Sequence, residues 1–204
     1  MKRAAQVQLG GRPHAPLAAL VIGASAGGID ALLRLLGALP ADYRLPIACV
    51  LHLPDQPGSL LAALFQRQLA LRVKDAEDKE QLAAGTLYFA PPGYHLSIEQ
   101  DHSFSLSREE PRHFSRPSID FLFESAADAY QERLAGVLLT GANEDGAAGL
   151  LHIQQRGGLT LVQEPADAQV PTMPAAALAL LQPDFLLPLD AMPALLAELD
   201  SQPC

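Results

Sequence analysis

Apolar positions along this chain fall into two alternating kinds of run. Residues 17–22 (Leu-Ala-Ala-Leu-Val-Ile) form a short continuous run that ends at Gly23, the pattern of a buried parallel strand. After the small residues Ala24-Ser-Ala-Gly-Gly28, apolar positions return at Ile29, Leu32, Leu33, Leu36 and Leu39, which is helical spacing. Residues 46–53 predict a second buried strand ending at His52, with Pro54 and Pro57-Gly58 as punctuation. A helix over about 59–69 follows, its face set by Leu60, Leu61, Leu64 and Leu69. A short strand at Val73, a charged turn over 75–81 and a strand over 86–90, stopped by Pro91-Pro92-Gly93, come next. Segments 95–98 and 103–107 alternate around Glu99-Gln100-Asp101, which predicts an antiparallel hairpin. Ser118 caps a helix carrying Ile119, Leu122, Phe123, Ala126, Ala127 and Tyr130.

Residues 135–140 read as a third strong buried strand, running into the turn Gly141-Ala-Asn-Glu-Asp-Gly146 and a helix ended by Gly157-Gly158. A strand over 159–163 and helices near 174–181 and 191–199 complete the pattern. Strands alternating with helices predict an α/β fold: a doubly wound, mostly parallel sheet flanked by helices on both faces, with a small antiparallel hairpin excursion. Residues 17–204 are read as one domain behind a loose N-terminal leader, 1–16.

Composition agrees with that picture and narrows the function. The chain is 49% hydrophobic and 18% charged, which suits a buried sheet under Ala/Leu-rich helices. Its formal charge of −9, with no Lys/Arg run, excludes a general nucleic-acid binder. The leader carries Lys2, Arg3 and Arg12 but lacks the apolar core of a signal peptide, and no later apolar run has membrane-spanning length. Cys49 and Cys204 form no disulfide framework, as expected in a reducing cytoplasm.

Chemistry concentrates at strand ends. Gly23-Ala-Ser25-Ala-Gly27 matches the G-x-S-x-G nucleophile elbow, although a serine there also serves as a helix cap. A dinucleotide loop is excluded, because Ser25 stands where glycine is required and Asp42 precedes the second strand instead of ending it. Ser25, His52 and Asp145 follow three different strands, and a parallel sheet gathers such ends on one edge. An activated serine needs a base and a carboxylate that orients the base, and these are the three residue types present. Taken singly, His52 could terminate a strand and Asp145 could cap the helix that follows it. His152 is a rival base, but it falls two turns into a predicted helix. The order Ser, His, Asp differs from that of the α/β-hydrolases. His95, His102 and His113 lack ligand spacing, as do both cysteines, so no metal and no cofactor is expected.

At these residues the chain resembles the catalytic domain of the CheB family, bacterial chemotaxis protein-glutamate methylesterases, from about Leu17 to Leu199. Ile22-Gly-Ala-Ser-Ala-Gly-Gly28 is similar to the family's I-G-A-S-T-G-G, and Val50-Leu-His-Leu-Pro54 to V-Q-H-M-P. Thr140-Gly-Ala-Asn-Glu-Asp-Gly146 is similar to T-G-M-G-x-D-G. Tyr88-Phe-Ala-Pro-Pro-Gly93, Arg116-Pro-Ser-Ile-Asp120 and Met173-Pro174 resemble further family segments. The resemblance implies an esterase that removes methyl groups from glutamyl esters on chemoreceptors and releases methanol, with glutamine deamidation as a side activity. It implies Ser25 as nucleophile, His52 as general base and acid, and Asp145 as orienting carboxylate. The backbone N–H of Ala142 is the oxyanion donor it points to, with that of Ala26 a geometric second. Arg116 either binds substrate carboxylates or pairs with Asp120 across a helix start.

The chain departs from the family at Ala26, Leu51, Leu53, Ala142 and Asn143; at Asn143 the family has glycine, and asparagine is expected to keep the turn through its tolerance of positive φ. Family members commonly carry a receiver domain, whereas about sixteen residues precede the first strand here, so the expectation is a stand-alone or excised catalytic domain with any regulator acting in trans. A serine hydrolase of other small esters and a docking module in a signalling complex are the alternative readings.

Overall fold

The computed structural model describes residues 15–52 and 60–201. Most of the expected leader, Leu53 to Ser59 with their punctuation and helix start, and Cys204 lie outside those residues. The chain runs β1 (Ala19–Ala24), α1 (Gly28–Gly37), β2 (Ile47–Leu51), α2 (Leu61–Gln66), β3 (Arg72–Asp75) and β4 (Thr86–Phe89). Next come the hairpin β5 (His95–Ile98) and β6 (Phe104–Ser107), then α3 (Ile119–Tyr130) and β7 (Leu134–Leu138). The last third holds α4 (Ala147–Gln155), β8 (Leu159–Gln163), α5 (Thr172–Leu180), β9 (Phe185–Leu187) and α6 (Met192–Asp200).

Seven strands form one sheet in the order β3-β4-β2-β1-β7-β8-β9, with every pairing parallel, and β5–β6 stand apart as an antiparallel pair. The doubly wound reading and the hairpin excursion therefore both appear. The sequence reading lacked β9, and α2 stops at Gln66, short of Leu69. The Gln66 side chain leaves the helix to bond Leu71 O and Val73 N, which fixes the turn into β3.

Strand alternation separates two apolar layers. Leu20, Ile22 and Ala24 of β1 face α1, α2 and α6 with Leu32, Leu36, Phe65 and Leu196. Ala19 and Val21 face the other way, toward α3, α4 and the hairpin, with Ile119, Phe123, Leu150 and Phe104. Gly23 lies on that second side, where a Cβ would collide with Ile119 at the start of α3. The missing side chain lets the α3 N-terminus close onto the C-terminal end of β1. Among the described residues no helix is long and apolar enough to cross a membrane.

β1 is the strand from which the winding departs in both directions, flanked by β2 and β7. The crevice of such a sheet opens at the carboxyl ends of these central strands. A direct consequence is that Gly23→Ala destabilises the fold by about 1–3 kcal/mol through overpacking. Ile119→Val in the same chain restores part of that loss in chemical denaturation, whereas additive losses would show that the two positions do not couple.

Candidate active site

β1 and β2 pair in register up to Ala24 opposite Leu51, and His52 N–H donates to Ala24 O at 3.0 Å. Ser25 and His52 are therefore the next residues on neighbouring strands at the same edge. On its other side, Ser25 N–H donates to Thr140 O at 3.0 Å, just beyond β7, while Ser25 O accepts from Gly28 N–H at 2.7 Å. The serine is clamped in a tight turn. Gly27 takes φ 79°, which L side chains disfavour, and a Cβ on it would meet Gln169. The Thr140 hydroxyl donates to Ala26 O at 2.9 Å and fixes the next peptide plane.

Asp145 ends the turn after β7 and is fully buried. Its Oδ2 lies 2.9 Å from Nε2 of His52. That nitrogen is shielded from water, yet its N–H direction misses the angle of an aligned hydrogen bond. Catalytic hydrogen bonds commonly tighten only when substrate is present. With Nε2 turned to the carboxylate, Nδ1 is the nitrogen left for proton traffic. The same carboxylate accepts Ser118 Oγ–H at 2.9 Å, Ile119 N–H at 2.7 Å and Asp120 N–H at 3.0 Å. Asp145 thus occupies the N-terminus of α3, where N–H groups and the helix dipole favour an anion. The capping role and the histidine contact coexist, but the capped helix is α3 and not α4, the helix that Asp145 directly precedes. Burial pushes the Asp145 carboxyl up, and the His52, Asp120 and Ile119 donors outweigh it, leaving the group below the ordinary aspartate value.

Asp120, in the first turn of α3, does the reverse: its Oδ1 accepts Gly149 N–H of α4 at 2.6 Å. The two carboxylates cross over: Asp145, just before α4, caps α3, and Asp120, within α3, caps α4. Ser118 is held in turn by His95, whose Nδ1 accepts Ser118 N–H at 3.2 Å while Nε2–H meets Glu110 O at 3.2 Å. Burial lowers the affinity of His95 for a proton, which suits the neutral form these bonds require.

A cavity of about 540 Å³ opens beside His52, which lines it with Gly93, Pro111, Phe114, Ser115, Arg116 and Pro117. Ser25 lies outside this lining. The loop over 108–118 that walls the cavity is pinned by Arg112–Glu124 at 2.7 Å and by His113 Nε2–Asp120 Oδ2 at 3.2 Å. His113 and Phe114 both take positive φ, and Phe114 is fully exposed at the cavity mouth. His152 pairs with Asp128 on the far helices and takes no part.

Residues 20–196 match the family described as CheB methylesterase. The chain belongs to that family. A Leptospira interrogans protein named as a candidate protein-glutamate methylesterase/protein-glutamine glutaminase is 43% identical over 182 residues, covering 89% of this chain and 94% of the relative. The protein-glutamate methylesterase FrzG of Myxococcus xanthus is 36% identical over 92% of this chain, which spans 56% of FrzG. The crystallised CheB methylesterase catalytic domain of Thermotoga maritima superposes with a TM-score of 0.85 at 31% identity, over 91% of this chain and 100% of that domain.

Two expectations at the family motifs need correction. Asn143 is not at positive φ; the left-handed residue of the turn is Gly146, at φ 92°. Asn143 keeps the turn another way, its Oδ1 accepting Asp145 N–H at 3.3 Å. Arg116 does not pair with Asp120. Its Nη1 donates to Arg108 O and Glu109 O, at 3.2 and 3.0 Å, and it lines the cavity. The N–H groups of Ala26 and Ala142 take no hydrogen bond among the described residues, so both stay open to an acceptor.

His113, Asp120 and Asp145 bring ligand-type atoms within 4.8 Å of one another, the spacing of a metal site. The lone pairs of Asp145 already meet Ser118, Ile119, Asp120 and His52, so this carboxylate belongs to the capping network. Sequence reasoning found Ser118 only as a cap and missed Thr140, His95 and the crossing of Asp120. Those roles depend on contacts 15 or more positions apart, beyond any local pattern.

Burial pushes the Asp120 carboxyl up to about 6; the Gly149 N–H and His113 oppose the rise and the Asp145 charge adds to it. A carboxyl raised on folding stabilises the protein below its ordinary value of 3.8, and that contribution is lost as pH rises through about 6. The melting temperature of wild type relative to Asp120→Asn is therefore expected to fall between pH 4 and pH 7 and then level off. A difference that rises with pH would contradict the assignment.

Proposed function

We propose that this chain is a serine-dependent methylesterase that hydrolyses glutamyl methyl esters on the cytoplasmic part of chemoreceptors. The observation that carries the reading is the His52–Asp145 contact, 2.9 Å apart, at the edge where the register places Ser25 beside His52. Membership of the methylesterase family and the names of the relatives support the substrate class.

In this reading Ser25 Oγ attacks the ester carbonyl while Nδ1 of His52 takes its proton. Asp145 holds the ring so that Nε2 carries hydrogen, and its negative charge stabilises the imidazolium as it forms. The oxyanion is met by the N–H groups of Ala26 and Ala142, which the turns hold in place at no reorganisation cost. Collapse of the tetrahedral intermediate expels methoxide, which takes the His52 proton and leaves as methanol. Water, deprotonated by the same ring, cleaves the acyl-enzyme and returns the free glutamate. A glutamine side chain follows the same course with ammonia as the leaving group. Because oxyanion donation is by backbone, Ala26 and Ala142 in place of larger residues leave this chemistry intact.

Methanol release from methyl-esterified chemoreceptor tests the reading. Ser25→Ala and His52→Ala are each expected to lower the rate by about four orders of magnitude or more, because the members of such a triad act as a unit. A rate within tenfold of wild type in either variant would sink it.

A further inference from the structure

Arg116 is half-buried on the wall of the cavity that also contains His52. Its guanidinium is tethered at one end only, through Nη1 to two loop carbonyls. Nε is shielded from solvent and has no hydrogen-bond partner, and Nη2 makes no bond among the described residues. Nor does any carboxylate among the described residues neutralise it. Arg34, Arg112 and Arg156 each have an acidic partner within 4 Å, whereas Glu109 and Glu110, on Arg116's own loop, form no ion pair with it. A guanidinium Nε–H shielded from water without an acceptor is costly, and a carboxylate offered to the Nε and Nη2 edge relieves that cost with two parallel hydrogen bonds. A second cation stands close by: Arg108 is held over the Tyr94 ring, beside the cavity residue Gly93, and has no acidic partner among the described residues.

We propose that Arg116 is a specificity residue that reads a second acidic side chain of the peptide substrate, carried near the glutamyl group that Ser25 attacks. The inference rests on the esterase reading for the identity of the substrate. The neighbouring carboxylate enters the cavity, seats on Nη2 and, as the atoms covering Nε give way, takes that donor as well. The loop carbonyls on Nη1 hold the fork in place, so little side-chain freedom is lost on binding. Peptides bearing an acidic neighbour are thereby selected over neutral ones in a protein whose net charge would otherwise repel them.

The test uses the Ser25→Ala chain, which stops turnover, and two synthetic peptides with one glutamyl methyl ester and either Glu or Gln as neighbour. Binding is read by fluorescence anisotropy and by the Arg116 Nε–H resonance. The Glu peptide is expected to bind about tenfold more tightly, the worth of roughly one charge-assisted hydrogen bond, and to move the resonance where the Gln peptide does not. Adding Arg116→Gln abolishes the preference, while Arg116→Lys, with charge but no fork, retains part of it. Equal affinities for the two peptides, or a preference that survives Arg116→Gln, would overturn the proposal. So would acetate at the same concentration moving the resonance as far as the Glu peptide does, since the site would then hold any carboxylate. Because the readout is binding, a failure of the esterase reading shows separately, as no methanol from either peptide with the wild-type protein.

Discussion

A carboxylate taken wholly out of water keeps its charge only if its lone pairs are met by donors, and Asp145 is in that position. Its four partners come from two parts of the chain: the Ser118 hydroxyl with the Ile119 and Asp120 N–H groups that open α3, and the ring of His52. Losing any one leaves an uncompensated buried charge, so the α3 start, the turn after β7 and the end of β2 are set together. The reciprocal bond from α4 to Asp120 closes the arrangement from the other side. The His52 contact and the helix capping are one set of contacts here. The His52 ring is held by the same carboxylate that docks α3 on the sheet.

The sheet makes that arrangement possible. Three adjacent strands, β2, β1 and β7, end at the same level and deliver His52, Ser25 and Asp145 from distant parts of the sequence. Gly23 and Gly146 remove the side chains that would keep Ile119, and with it the α3 N-terminus, away. Among the described residues around this centre, the loop over 108–118 carries strained backbone, with His113 and Phe114 in left-handed conformations. Strain of this kind persists where surrounding contacts over-determine it, as the Arg112–Glu124 and His113–Asp120 pairs do.

Much of this was legible before the structure. Continuous apolar runs broken by small residues identified β1, β2 and β7, because strands buried on both faces need no alternation. β9 escaped notice because three residues between Pro183-Asp184 and Pro188, one of them exposed, carry no periodic signal. The elbow motif, the residue types and the strand-end argument together pointed to Ser25, His52 and Asp145, which the structure gathers at one sheet edge. They could not show that Asp145 caps α3 and Asp120 caps α4, since local sequence assigns a capping carboxylate to the helix it adjoins. Arg116 was expected to choose between a substrate and Asp120; His113 and Gly149 hold Asp120 instead, which local spacing does not reveal.

The claim that the buried Asp145 carboxylate activates Ser25 through His52 is tested most directly by reaction with a fluorophosphonate, followed by intact mass and peptide mapping. The account requires a single adduct on Ser25 in the wild-type protein and labelling slower by about a thousandfold or more in Asp145→Asn, whose amide holds the imidazole in the wrong tautomer. Equal labelling rates in the two proteins, or an adduct on a residue other than Ser25, would contradict it.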